Sequence, residues 1–136
     1  MLLGSASLFS GVLPELDLPK RFSKNLRQAW LFDTGDKGEM QSNGLVINGV
    51  LYTASPNRIV FALDAKTGRE LWRFNTIPMG KETGAETWRR PESAKTGGGG
   101  VWGAMTLDVA TGELFVPVGN PWPDIDKAYR PGANLF

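Results

Sequence analysis

The feature that most constrains the fold is the punctuation of the chain between residues 25 and 75, where short apolar runs are separated by strong turn signals. Asn48-Gly49 stands between Leu45–Ile47 and Val50–Thr53, and Asn-Gly between β-formers is the strongest short-range hairpin signal, because both residues tolerate the positive φ of a tight turn. Pro56-Asn57 then turns the chain into Ile59–Leu63, and Asp64-Ala65-Lys66-Thr67-Gly68 turns it again into Glu70–Phe74. These four runs predict an antiparallel meander, and Ala29–Asp33 reads as a further short strand ahead of them. Loops of a few residues suit a small repeated sheet.

Part of the pattern returns downstream. Thr106-Leu107-Asp108-Val109-Ala110-Thr111-Gly112-Glu113-Leu114-Phe115 echoes the segment from Ala62 to Trp72, with a strand, Leu-Asp, a Thr-Gly turn, then Glu-Leu and an aromatic. A repeated sheet unit that buries each face against the next would produce this echo, and so would a favourable β-turn used twice. Between the copies, Asn75–Gly100 is a long connection rich in Gly, Glu and Lys, of the kind that carries function. Asn120–Phe136 is again loop-like, with Pro121, Pro123 and Pro131.

Composition narrows the chemistry. The chain has no histidine and no cysteine, which removes the common catalytic triads, thiol chemistry and ordinary zinc sites. Any metal must be held by oxygen, as a hard cation such as calcium is. The net charge of +1, with 15 basic residues scattered rather than striped, argues against nucleic acid as a partner. Met1–Pro14 lacks the basic start of a secretory signal and is too short in its apolar run to span a bilayer. Residues 1–24 are therefore expected to be irregular and residues 25–136 to form the folded unit.

The segment Ala62-Leu63-Asp64-Ala65-Lys66-Thr67-Gly68-Arg69-Glu70-Leu71-Trp72 resembles the repeat of the quinoprotein alcohol and glucose dehydrogenases, which depend on pyrroloquinoline quinone. The resemblance continues through Asn25–Asp36 and Glu39–Val46, although Gly44 stands where the family carries proline. Its more specific parts are Gly97-Gly98-Gly99-Gly100-Val101-Trp102-Gly103 and Val118-Gly119-Asn120-Pro121-Trp122-Pro123, which are similar to two cofactor-lining loops and appear in the family's order. The implied fold is all-β: a partial β-propeller of four-stranded antiparallel blades, of which the chain holds about one and a half. Trp72 matches a docking position that locks neighbouring blades and is expected to be structural.

The resemblance also implies roles for single residues. Trp102 matches the floor of the quinone pocket, with Gly99 and Gly100 leaving room for a flat ligand. Asn120 matches a calcium ligand, its amide oxygen being a suitable donor; alone, the same Asn-Pro pair would read as an Asx turn. Gln41 falls where relatives contact the rim of the cofactor, although its position taken alone favours an exposed turn residue. Gly98-Gly99-Gly100-Val101-Trp102-Gly103 also fits the glycine pattern of dinucleotide binders, but no strand precedes it and no helix follows, so that reading is rejected. Asp124 and Asp126 lie in a Pro-rich loop and read as solvated.

The implied activity is oxidation of an alcohol or sugar hydroxyl in the periplasm, with calcium polarising a quinone carbonyl, a carboxylate base taking the proton, and cytochrome c or ubiquinone accepting electrons. The match is incomplete. Relatives carry roughly eight blades, place the catalytic aspartate beyond the position of Phe136, and have a longer segment at Asn75–Trp88, where Glu82 and Glu86 are the available carboxylates. No residue is assigned as the base. The expectation is thus a fragment of a quinone-dependent dehydrogenase, inactive alone, whose open sheet edges favour self-association. The alternative is a non-enzymatic propeller module serving as a scaffold, which would account for the repeat but not for the two loops.

Overall fold

The computed structural model describes residues 27–95 and 97–134, so the irregular segment expected at 1–24 lies outside the described residues. Four strands form one antiparallel sheet in sequential order: β1 (Leu45–Ile47), β2 (Val50–Ala54), β3 (Ile59–Asp64) and β4 (Glu70–Asn75). A separate hairpin pairs β5 (Thr106–Asp108) with β6 (Glu113–Phe115). This is one blade and part of another. The expected strands agree with β1–β4 to within a residue at each end.

Turn chemistry explains the register. Asn48 and Gly49 take φ of 51° and 79°, the two positive angles a two-residue hairpin turn requires, and this sets Ile47 opposite Val50. In the next turn Asp64 Oδ1 accepts from the Lys66 and Thr67 amides at 3.0 and 2.8 Å and from the Thr67 hydroxyl at 2.9 Å, while Gly68 N–H donates to the Asp64 carbonyl. A bulge between Ala62 and Leu63 shifts the register where β4 begins.

The run Ile-Val-Phe-Ala-Leu in β3 shows no polar alternation because both faces of the strand are covered. On one face Leu51, Phe61 and Leu63 are buried beneath Trp30 and Phe32. On the other, Ala54 and Val60 pack against Val101, Met105, Leu114 and Val116 of the following unit. Fully burying a side chain such as Phe61 contributes roughly 1.5–3 kcal/mol, so this strand anchors the molecule.

Two expectations need correction. Ala29–Asp33 is not a strand. Its aromatic residues are committed to the sheet face instead: the Trp30 indole N–H donates to the Ala65 carbonyl at 3.1 Å, and Phe32 meets Phe61 edge-on at 5.0 Å. The backbone therefore crosses the sheet rather than pairing along an edge. Trp30 occupies the docking position, lying against Gly68 so closely that a Cβ there would come within 2.6 Å of the ring. Trp72, at the same place in a second Trp-x-Phe-x-Thr run, is 41% exposed on edge strand β4, beside Tyr52 and bordering a groove shared with Leu114, Val116 and Val118.

The long connection is folded. Two short 3-10 turns, Ala85–Thr87 and Ser93–Lys95, bring Ile77, Trp88 and Ala94 into a small core of their own.

Candidate functional site

The two glycine- and proline-bearing loops come together as a continuation of the β5–β6 hairpin. Past the regular strands Val101 bridges to Val118 and Gly98 to Pro121. Gly119 N–H donates to the Gly100 carbonyl at 2.9 Å, Gly99 N–H to the Asn120 carbonyl at 3.3 Å, and Trp122 N–H to the Gly97 carbonyl at 3.1 Å. Gly97, Gly98 and Gly99 have φ of 131°, 80° and 68°, which accounts for a glycine run where a regular strand would otherwise continue.

Trp102 stands on this platform. A Cβ built on Gly119 would lie 2.7 Å from the indole nitrogen, and one on Gly100 would lie 3.3 Å from it, so the ring rests directly on glycine backbone. Its outer side is open: the residue is 66% exposed. A large aromatic face held by backbone on one side and open on the other is a stacking surface for a planar ligand.

Trp102 forms part of the lining of a cavity of about 460 Å³, a volume within the range of small-molecule sites. Gln41 and Gly100 line the same cavity, together with Glu39, Arg58 and Lys95. Of the residues expected from sequence, three thus share one space. Gly99 faces inward, toward Ile77 and Thr76, and Asn120 takes part through its main-chain carbonyl on the partner loop. Arg58 and Lys95 were missed: Arg58 sits after a Pro-Asn turn and Lys95 in the long connection, and neither position carries a sequence signal.

A hydroxyl ties the cavity floor to the sheet. Buried Thr76 donates to the Gly99 carbonyl at 2.6 Å, and its oxygen lies 3.1 Å from the Arg58 carbonyl, which also accepts from the Thr76 amide at 2.8 Å. The ionisable groups held away from their ordinary values lie elsewhere. Thr67 lowers the Asp64 carboxyl through hydroxyl and amide hydrogen bonds, and the hydrogen bond from Arg73 lowers Glu70.

The residues present fit a planar quinone: an open indole, glycine walls, an amide and two cations around one cavity. They do not fit calcium. No cluster of three acidic, histidine or cysteine side chains stands together among the described residues, and the Asn120 amide is one oxygen where calcium takes six to eight. Glu82 is already engaged, accepting from the Asn75 side chain at 2.6 Å and from the Met79 amide at 2.8 Å. Asp124 and Asp126 are exposed, in a turn held by Arg130, whose guanidinium donates to the Pro123 and Asp124 carbonyls.

Residues 20–90 match the family described as the glucose/ethanol/alcohol dehydrogenase β-propeller domain, PQQ. The chain belongs to this quinoprotein propeller family. It is 36% identical over 89 residues to the quinohemoprotein alcohol dehydrogenase ADH-IIG of Pseudomonas putida, covering 57% of this chain and 12% of the relative. It is 36% identical over 87 residues to a lupanine 17-hydroxylase [cytochrome c] of a Pseudomonas species, covering 55% and 12% respectively. The solved structure of ADH-IIG superposes with a TM-score of 0.62 at 29% identity, over 81% of this chain and 19% of that one. This quinoprotein propeller therefore spans about an eighth of the length of the curated relatives it matches, and its sheet and hairpin are part of a propeller.

Proposed function

We propose that this chain is the quinone-holding portion of a dehydrogenase that depends on pyrroloquinoline quinone and oxidises alcohols or sugars. The observation that carries this reading is the open Trp102 indole, resting on Gly100 and Gly119 and facing the cavity shared with Gln41. Trp102 stacks on the quinone plane and Gln41 donates its amide N–H to the ligand's rim. Gly97–Gly100 keep side chains out of the ligand's path. When bound, the quinone would supply a two-electron oxidant for the alcohol.

Relatives named as quinohemoprotein alcohol dehydrogenases, a hydroxylase [cytochrome c] and an alcohol dehydrogenase (quinone) support cytochrome c or ubiquinone as the electron acceptor. A periplasmic location follows from the same reading. Asn120 offers a single amide oxygen, too few donors to hold calcium here. No carboxylate is assigned as the base, so the isolated chain is expected to bind quinone without turning over alcohol.

The test is a fluorescence titration of the chain with pyrroloquinoline quinone, repeated on Trp102→Ala. Saturable quenching that is lost in the variant supports the reading. Because Trp102 is largely exposed, its removal leaves the fold intact by circular dichroism. No binding by the folded wild-type chain would overturn the reading and favour the scaffold role.

A further inference from the structure

The chain carries the run Trp-x-Phe-x-Thr twice, at Trp30–Thr34 and at Trp72–Thr76, and the two threonines use their hydroxyls differently. Thr34 closes its own turn, its Oγ1 accepting from the Asp36 amide two residues on at 3.2 Å. Thr76 is buried, and its hydroxyl reaches instead to the Gly99 carbonyl, 23 positions downstream, at 2.6 Å. A hydroxyl has one proton to give. The Arg58 carbonyl, 3.1 Å from the same oxygen, already accepts from the Thr76 amide at 2.8 Å, so the hydroxyl proton goes to Gly99.

Gly99 needs such a tether. It stands within four consecutive glycines, which have no side chains to pack and the widest choice of backbone angles. Its amide bond to the Asn120 carbonyl is long, 3.3 Å, so the short bond from Thr76 fixes the direction of its carbonyl and the peptide plane that leads into Gly100. Gly100 accepts from the Gly119 amide at 2.9 Å, and the Trp102 indole rests on these two glycines. Thr76 does not line the cavity. We infer that Thr76 is a positioning residue for the ligand stacked on Trp102: its hydroxyl holds the Gly99–Gly100 peptide in the orientation that presents the indole, and affinity depends on it without contact. The ligand half of this inference rests on the quinone-holding reading; the effect on Trp102 does not.

Two variants of the full chain separate a positioning role from a structural one: Thr76→Val, which keeps the shape and removes the hydroxyl, and Thr76→Ser, which keeps the hydroxyl. Both and the wild type are labelled with 5-fluorotryptophan, with Trp102→Phe and Trp30→Phe assigning the two signals, and titrated with pyrroloquinoline quinone. Thr76→Val is expected to weaken binding about tenfold, as the share of chains with the loop in its competent orientation falls to about a tenth. It also shifts or broadens the Trp102 fluorine signal, while that of Trp30, packed on the opposite face of the sheet, stays in place. Thr76→Ser stays within about twofold of wild type and moves neither signal. A lowered urea midpoint with unchanged affinity of the folded protein and an unmoved Trp102 signal overturns the inference and leaves quinone binding in place, and so does equal weakening by Thr76→Ser. Failure of the wild type to bind overturns the quinone-holding reading and the ligand half of the inference, and the fluorine signals still decide whether Thr76 sets the indole. If Thr76→Val does not fold, Thr76→Cys, similar in size and a weaker donor, is held to the same two criteria.

Discussion

Gly68→Ala should be among the most damaging single-methyl substitutions in the chain, and Gly112 supplies its control. Both glycines close the same Asp-x-x-Thr-Gly turn, with φ of 73° and 77°, and both donate their N–H to the carbonyl of the turn's aspartate at 2.8 Å. An alanine in this conformation costs about 1–2 kcal/mol at either site. The surroundings then separate them. At Gly112 an added Cβ meets nothing within 4 Å, whereas at Gly68 it would sit 2.6 Å from the Trp30 ring. The indole must leave, giving up its hydrogen bond to Ala65, worth about 1 kcal/mol, and about as much again from burial of a half-covered ring. The expected loss is about 3–4 kcal/mol for Gly68→Ala and about 1–2 kcal/mol for Gly112→Ala, against the ~5–15 kcal/mol of a typical domain. Equilibrium urea unfolding followed by circular dichroism measures both. On a Trp30→Ala background the cost at Gly68 should fall to that at Gly112, and equal costs in the wild-type background would refute the docking account.

Other consequences follow from single contacts. Asp64 is held below its unfolded value of about 3.9, so the stability it contributes is present above roughly pH 4 and is lost as pH falls through the lower folded value. Asp64→Asn should be less stable at pH 7 and lack that part of the acid-side decline, as urea midpoints across pH would show. Thr76→Val leaves the Gly99 carbonyl without its hydroxyl partner and should cost about 1–3 kcal/mol, with faster hydrogen exchange at Gly99 and Gly119. The double substitution of Trp72 and Phe74 by Ser, on the exposed β4 edge, should lower the weight-average mass seen by sedimentation velocity, at a cost of about 1–3 kcal/mol for the covered parts of the two rings. An unchanged mass would show that this edge does not drive association.

What could be read from the sequence was what short-range chemistry determines. Asn48-Gly49 and the Asp64–Gly68 turn specify their own dihedrals, so β1 to β4 were legible to within a residue. The pairing of Gly97–Trp102 with Val118–Trp122 was legible only as order along the chain, because the glycines that allow it have no apolar period. Ala29–Asp33 failed for a physical reason: aromatic residues at alternate positions suit a strand and equally suit a segment laid across a sheet, and only the Ala65 and Gly68 contacts decide between them. The echo at Thr106–Phe115 was real at the level of the turn and silent about docking, since Gly112 stands in open space where Gly68 carries an indole. Arg58 was illegible because its guanidinium is tethered to the Ala94 carbonyl, 36 positions away.

The cavity and the sheet form one unit energetically. Gly97–Gly100 has no helix or long strand to hold it; it is held by backbone pairing to Gly119–Trp122, by Val101 packed against Ala54 and Val60, and by the Thr76 hydroxyl at Gly99. Thr76 directly follows the last residue of β4, and Arg58, whose carbonyl it meets, directly precedes β3. Loss of the β3–β4 pair therefore releases the glycine loop and the cation wall together, and a partly unfolded chain with a preserved ligand site is not available to this architecture. Ligand binding should in turn raise the stability of the whole sheet by mass action, by about 2.7 kcal/mol at a hundredfold excess over Kd. A ligand that protected only residues 97–122 from hydrogen exchange, and left β2 and β3 unchanged, would contradict that coupling.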